Sequence, residues 1–102
     1  MADNATETPL LDLLAKMTAD SIDAAGVDAH TLMVARLAAL VAVDAGPASY
    51  LMNLAAAAEA GFDADEIRGV LAAVAPIVGT ARIVTATSHI VEALGVVLEL
   101  ED

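Results

Sequence analysis

Apolar side chains recur along this chain at three- and four-residue intervals in five successive blocks, and glycine or proline stands between one block and the next. Such spacing lines one face of an α-helix, whereas a half-buried strand needs alternation at two. The first block opens at Thr8-Pro9, a hydroxyl N-cap with proline at the first helical position, and Leu10, Leu13, Leu14 and Met17 repeat until Gly26. The second opens at Asp28, with Val27 able to staple onto Leu32 across the cap. It runs through LMVARLAALVAVDA, apolar nearly all round, which suits a buried helix or an oligomer core. Gly46-Pro47 stops it and starts a third helix, through ASYLMNLAAAAEA to a C-cap at Gly61. The fourth has Asp63 as cap, Glu66 as its capping-box partner and Phe62 placed to staple Ile67, and it ends between Pro76 and Gly79. The fifth runs from Thr80 to Leu94 and closes at Gly95. Only the tail VVLELED alternates apolar with acidic, and it reads as a short strand, an extended arm on a neighbour or a frayed terminus. The pattern predicts an all-α domain of five or six helices.

Length makes this a single helical domain over residues 1–102, with 1–8 and 96–102 flexible or arm-like. Composition then changes the picture: 59% of the residues are hydrophobic but only 2% aromatic, more apolar material than one small bundle hides. The chain is therefore expected to pair with itself as a homo-oligomer. A net charge of −11 repels phosphate backbones and anionic lipid, so neither nucleic acid nor a membrane is an expected partner. With no cysteine, disulfides, thiolate metal sites and thiol peroxidase chemistry are excluded. The acidic first residues do not read as a secretory leader, and the uncharged run Gly69 to Ala81 is too short to span a bilayer, so a cytoplasmic location is expected. A glycine-rich phosphate loop, a serine triad and a basic-aromatic face are missing.

From Ala45 to Thr87 the chain reads AGPASYLMNLAAAAEAGFDADEIRGVLAAVAPIVGTARIVTAT. This stretch resembles the carboxymuconolactone decarboxylase family, which includes the alkylhydroperoxidase D-like proteins. Their pattern is an apolar helix, a Cys-x-x-Cys opening the next helix, a histidine four residues later, an Ala-Gly-Leu-type helix end, an acidic cap and a later Gly-x-Pro turn. Here AGFDADEI stands at the acidic cap and GTAR, Gly79 to Arg82, at the turn. Gly46 and Ser49 take the cysteine positions and Asn53 the histidine position. The resemblance covers about the last two thirds of the chain and implies an alkylhydroperoxidase D-like fold assembled as a trimer or hexamer. It does not imply redox catalysis, because both thiols and the histidine are replaced.

Ser49, Tyr50 and Asn53 form the candidate ligand-binding set, for a small anionic or apolar molecule. Gly46-Pro47 lets a ligand approach the backbone, the first-turn amides favour an anion, Ser49 and Asn53 share a helix face, and the small residues Ala55 to Ala58 leave room. Ser49 also reads as a plain polar residue near a cap, Asn53 as an exposed amide, and Tyr50 as packing with its tip at the surface. Arg82, Thr85, His89 and Glu92 align on one helical face, either a solvated stripe or one wall of a polar pocket with His89 as proton carrier, which makes His89 the candidate catalytic residue. His30 reads as surface decoration. Arg36 and Asp44, the only charges in the second block, suggest pairing between subunits. No metal site and no cofactor is expected. Two functions fit: a non-redox binding or accessory oligomer, and a cofactor-free decarboxylase or lactone-processing enzyme acting on a small organic acid.

Overall fold

A computed structural model describes residues 2–54, 57 and 60–95, with side chains from residue 8 onward. These residues form five α-helices and no strand: α1 (Ala2–Ala25), α2 (Ala29–Ala42), α3 (Pro47–Leu54), α4 (Ala64–Val78) and α5 (Thr80–Leu94). The alternating tail lies outside the described residues. None of the described helices is long and apolar enough to cross a membrane.

The core gathers around α2, which contributes Leu32, Met33, Leu37 and Val41. α4 lies along it with Ile67, Val70 and Leu71, α3 adds Tyr50 and Leu54, and α5 closes the group with Ala86 and Ile90. Each large side chain taken from water here contributes on the order of 1.5–3 kcal/mol. Although α2 is apolar nearly all round, it buries one face only. Ala35, Ala39, Ala42 and Val43 stay exposed on the other.

Two helix starts follow from their sequences. The Thr31 amide donates to Asp28 Oδ1 at 2.7 Å, and hydrogen bonding from the Thr31 side chain, together with this amide, holds the Asp28 carboxyl below its ordinary range. At α4 the capping box is complete: Glu66 N donates to Asp63 Oδ1 (3.0 Å) and Asp63 N to Glu66 Oε1 (3.3 Å). Phe62 and Ile67 are both buried, as a closed staple requires, but Val27 remains about half exposed although Leu32 is buried. Gly79, at φ 91°, is the single residue between α4 and α5.

Three boundaries differ from expectation. α1 begins at Ala2 and carries Pro9 inside it, so the helix starts ahead of the Thr8-Pro9 cap that the sequence suggested. The missing proline amide leaves the carbonyl four residues back without its helical bond, a local weakness near the N-terminal end. α2 stops at Ala42, short of Gly46, because Asp44 adopts the left-handed conformation (φ 59°). Asp44 N then donates to Val41 O (3.1 Å) and Ala45 N to Leu40 O (3.0 Å), the paired bonds of a Schellman motif with aspartate where glycine is usual. α3 ends at Leu54 rather than continuing to Gly61. Ala57 N and Ala60 N donate to Leu54 O and Ala57 O, bonds of the tighter i to i−3 kind. Ala57, expected to leave room for a ligand, is buried in the core, whereas Ala55, Ala56 and Ala58 lie outside the described residues.

Candidate functional site at the turn between α2 and α3

The Schellman turn delivers the chain to Gly46-Pro47, and α3 starts there. Ser49 N and Tyr50 N both donate to Gly46 O, at 3.1 and 3.3 Å. Since Pro47 has no amide proton, the first turn keeps only the Ala48 N–H for an anion. That is fewer free donors than the sequence suggested. The Ser49 side chain is exposed, and Asn53 spends Nδ2 on Ser49 O at 3.0 Å. The two residues share a helix face as expected. The bond between them runs from amide to backbone and leaves the Ser49 hydroxyl out.

Tyr50 points the other way. Its side chain is fully buried, against the expectation of a tip at the surface, and its hydroxyl makes no hydrogen bond within the described residues. Burial, helped by the negative charge of Asp44, pushes this phenol up to about 12. The ring lies 6.5 Å from that of His89, tilted by 57°.

Two members of the α5 stripe reach across to the turn. Arg82 Nη1 donates to Ala42 O at 2.6 Å, placing a cation at the C-terminal end of α2, where the helix dipole favours one. His89 Nδ1 donates to Ala45 O at 2.9 Å, which places the proton of the neutral ring on Nδ1 and leaves Nε2 as the acceptor. Thr85 turns back onto Ala81 O. No hydrogen bond joins His89 to Ser49 or Asn53 among the described residues.

Three residues have roles that the sequence reading missed. Arg36, expected to pair across subunits, is used inside the chain: Nη1 donates to Asn53 O (3.2 Å), and Nη2 to Thr18 O (2.8 Å) and Ser21 Oγ. A lone guanidinium in an apolar helix was the available signal, and the acceptors, being mainly backbone, left none. Asp44, taken as a second charge within α2, is an exposed turn residue. His30 is not decoration either. It bonds Glu66 through Nε2 and meets the Phe62 ring edge-on at 5.7 Å, tying the starts of α2 and α4 together. Among the described residues no group of three or more histidine and carboxylate side chains could hold a metal ion. Compared with models of known families, with curated proteins and with solved structures, the chain matches none.

Proposed function

We propose that this chain is a cysteine-free, carboxymuconolactone decarboxylase-like protein that works as a non-redox accessory homo-oligomer, built on the alkylhydroperoxidase D-like plan and capable of holding a small molecule at the turn between α2 and α3. One observation carries the preference for a non-catalytic role. The polar groups that a reaction would need are not bonded to one another: His89 Nδ1 donates to Ala45 O, and Asn53 Nδ2 to Ser49 O. A general base must reach its proton, and a nucleophile needs a base within hydrogen-bond range. Neither Ser49 nor Asn53 is bonded to His89. Light scattering on the purified chain tests the assembly, with a trimer or hexamer expected and a monomer at micromolar concentration against it.

A cofactor-free enzyme acting on a small organic acid remains the second reading, and the Tyr50 hydroxyl favours it. A buried hydroxyl without a partner is costly, and the Tyr50 ring lies 6.5 Å from that of His89, whose Nε2 has no hydrogen bond among the described residues. Titration with small carboxylates, followed by NMR, separates the readings. Shifts at Tyr50 and His89 together with turnover of the acid support the enzyme. Shifts at residues 48–53 without turnover support binding alone, and silence throughout leaves the oligomer as a scaffold.

A further inference from the structure

The large apolar side chains left in water gather on two surfaces. Of the eleven that are exposed among the described residues, six lie on α1 or just past its end and three on the outer side of α4 and α5. On α1, Leu10, Leu13 and Met17 form one flank at 63%, 53% and 57% exposure. At 100° per residue this flank stands beside the sector of Thr18 and Ser21, which Arg36 ties to the body. The second surface follows α5, where Ala81, Val84, Ser88 and Val91 are exposed at spacings of three and four. Ile77, the most exposed of the eleven at 84%, stands near the end of α4, just before Gly79 turns the chain. Among the described residues α1 touches α2 and α3 but neither α4 nor α5, so within one copy the two surfaces do not meet. They also differ in charge. Ala2 to Ala25 holds five acids and one lysine, a net charge of −4, and that lysine, Lys16, is bonded to Asp20. Ile67 to Val91 holds no acid at all, and Arg68 and Arg82 make it +2. Arg68 bonds Asp65, whereas Arg82 is exposed at the start of α5.

Resting on the homo-oligomer reading above, we propose that the interface joins these two surfaces head to tail: α1 of one copy lies along the outer face of α5 in the next, with Leu10, Leu13 and Met17 on Val84 and Val91 and one end of the contact at Ile77. Charge selects this occupant. The chain is −11 overall and its copies repel over most of their surface, but α1 at −4 against the acid-free face of α4 and α5 brings opposite net charges together. Pairing like with like does worse on both sides. α1 against α1 would set −4 on −4 and leave Ile77 and Val84 bare, and α5 against α5 would leave Leu10, Leu13 and Met17 in water. Length is sufficient, since 24 residues make α1 about 36 Å long and 15 make α5 about 22 Å. A head-to-tail contact uses each surface once per copy and closes into a ring when the last α1 reaches the first α5. A trimer closed in this way has neither an α1 flank nor an α5 face left over.

The test uses the full chain in size-exclusion chromatography with light scattering, as wild type and as two double variants that each spoil one surface. These are Leu10→Glu/Leu13→Glu on α1 and Ile77→Glu/Val84→Glu on α4 and α5, with helicity followed by circular dichroism. The wild type is expected to assemble as a closed ring, and each variant alone to fall to the mass of one chain with unchanged helicity. Mixed in equal amounts, the two variants keep one intact contact between them, so a heterodimer of twice that mass is expected and nothing larger. Because the chain has no cysteine, a second readout does not depend on those variants folding. Leu10→Cys, Leu13→Cys and Met17→Cys copies, each exchanged with Val84→Cys copies and mildly oxidised, are expected to give a covalent dimer of the two species at one or more of the three positions. Where a double variant loses helicity, the cross-links decide alone. A monomeric wild type overturns this inference together with the oligomer reading. A folded variant that stays assembled, a mixture that stays monomeric, or no cross-link between the two species at any position overturns the head-to-tail contact and leaves that reading standing.

Discussion

α1 and α4 are both regular helices, yet they stand at opposite ends of what a helix can rely on. α1 is the longer, 24 residues against 15, and each contains a proline, but α1 has no buried side chain among its described residues. α4 has a complete capping box at its start and places Ile67, Val70 and Leu71 in the core. Length does little for a helix in water, where the nucleus is costly and packing supplies most of the stability. The pair therefore shows where this chain keeps its folding free energy and where it has apolar surface to spare.

The sharpest way to test the contrast is to remove the same side chain from each region. Leu37, fully buried in α2, is expected to cost about 2–5 kcal/mol as Leu37→Ala, and Leu13→Ala in the dilute monomer to change stability by no more than about 0.5 kcal/mol in urea denaturation. Equal losses would erase the distinction. Next in size is the buried phenol. With its folded value raised from 10.0 to about 12, the contribution of Tyr50 is fully present below pH 10 and is lost as pH rises through 12. The chain has one tyrosine and no tryptophan, so absorbance of tyrosinate reports it alone. A midpoint near 10 with helicity intact would contradict the burial. Arg36→Met keeps the aliphatic stem but strips the bonds by which α2 holds α1 and α3. It is expected to cost about 1–3 kcal/mol, with faster amide exchange in α1 than in α4. Asp63→Ala removes the cap of α4 for about 1 kcal/mol, seen as fraying of the first turn by NMR. Smallest is Asp44→Gly, where relief of about 1 kcal/mol of left-handed strain is largely offset by glycine's extra freedom when unfolded. A melting temperature that drops by several degrees would show that the Asp44 carboxylate does more than fill the turn.

The helix count and the start of α4 were legible because they rest on local chemistry: aspartate three residues before glutamate, an aromatic before the cap, glycine at the ends. The end of α2 was not. Glycine and proline at 46 and 47 announced a break, but the chain turns two residues earlier on Asp44, a residue that takes the left-handed form less readily than glycine. α3 was misjudged for a related reason, since an alanine run favours helix everywhere and gives no sign of the turns at Ala57 and Ala60. At the site, the alignment of Ser49 with Asn53 followed from spacing alone. The clasp of Arg82 and His89 on the turn between α2 and α3 did not, because it joins residues about 40 positions apart and ends on main-chain oxygens.

Those main-chain oxygens have an evolutionary consequence. Thr18, Ala42, Ala45 and Asn53 serve Arg36, Arg82 and His89 through carbonyl groups that every amino acid possesses. Substitution at the accepting positions leaves the bond intact, so donor and acceptor need never change together. The contacts that hold the turn and the first helix would leave no trace in correlated substitutions among descendants of this chain. Its lineage can drift at the acceptors while the two arginines and one histidine stay fixed.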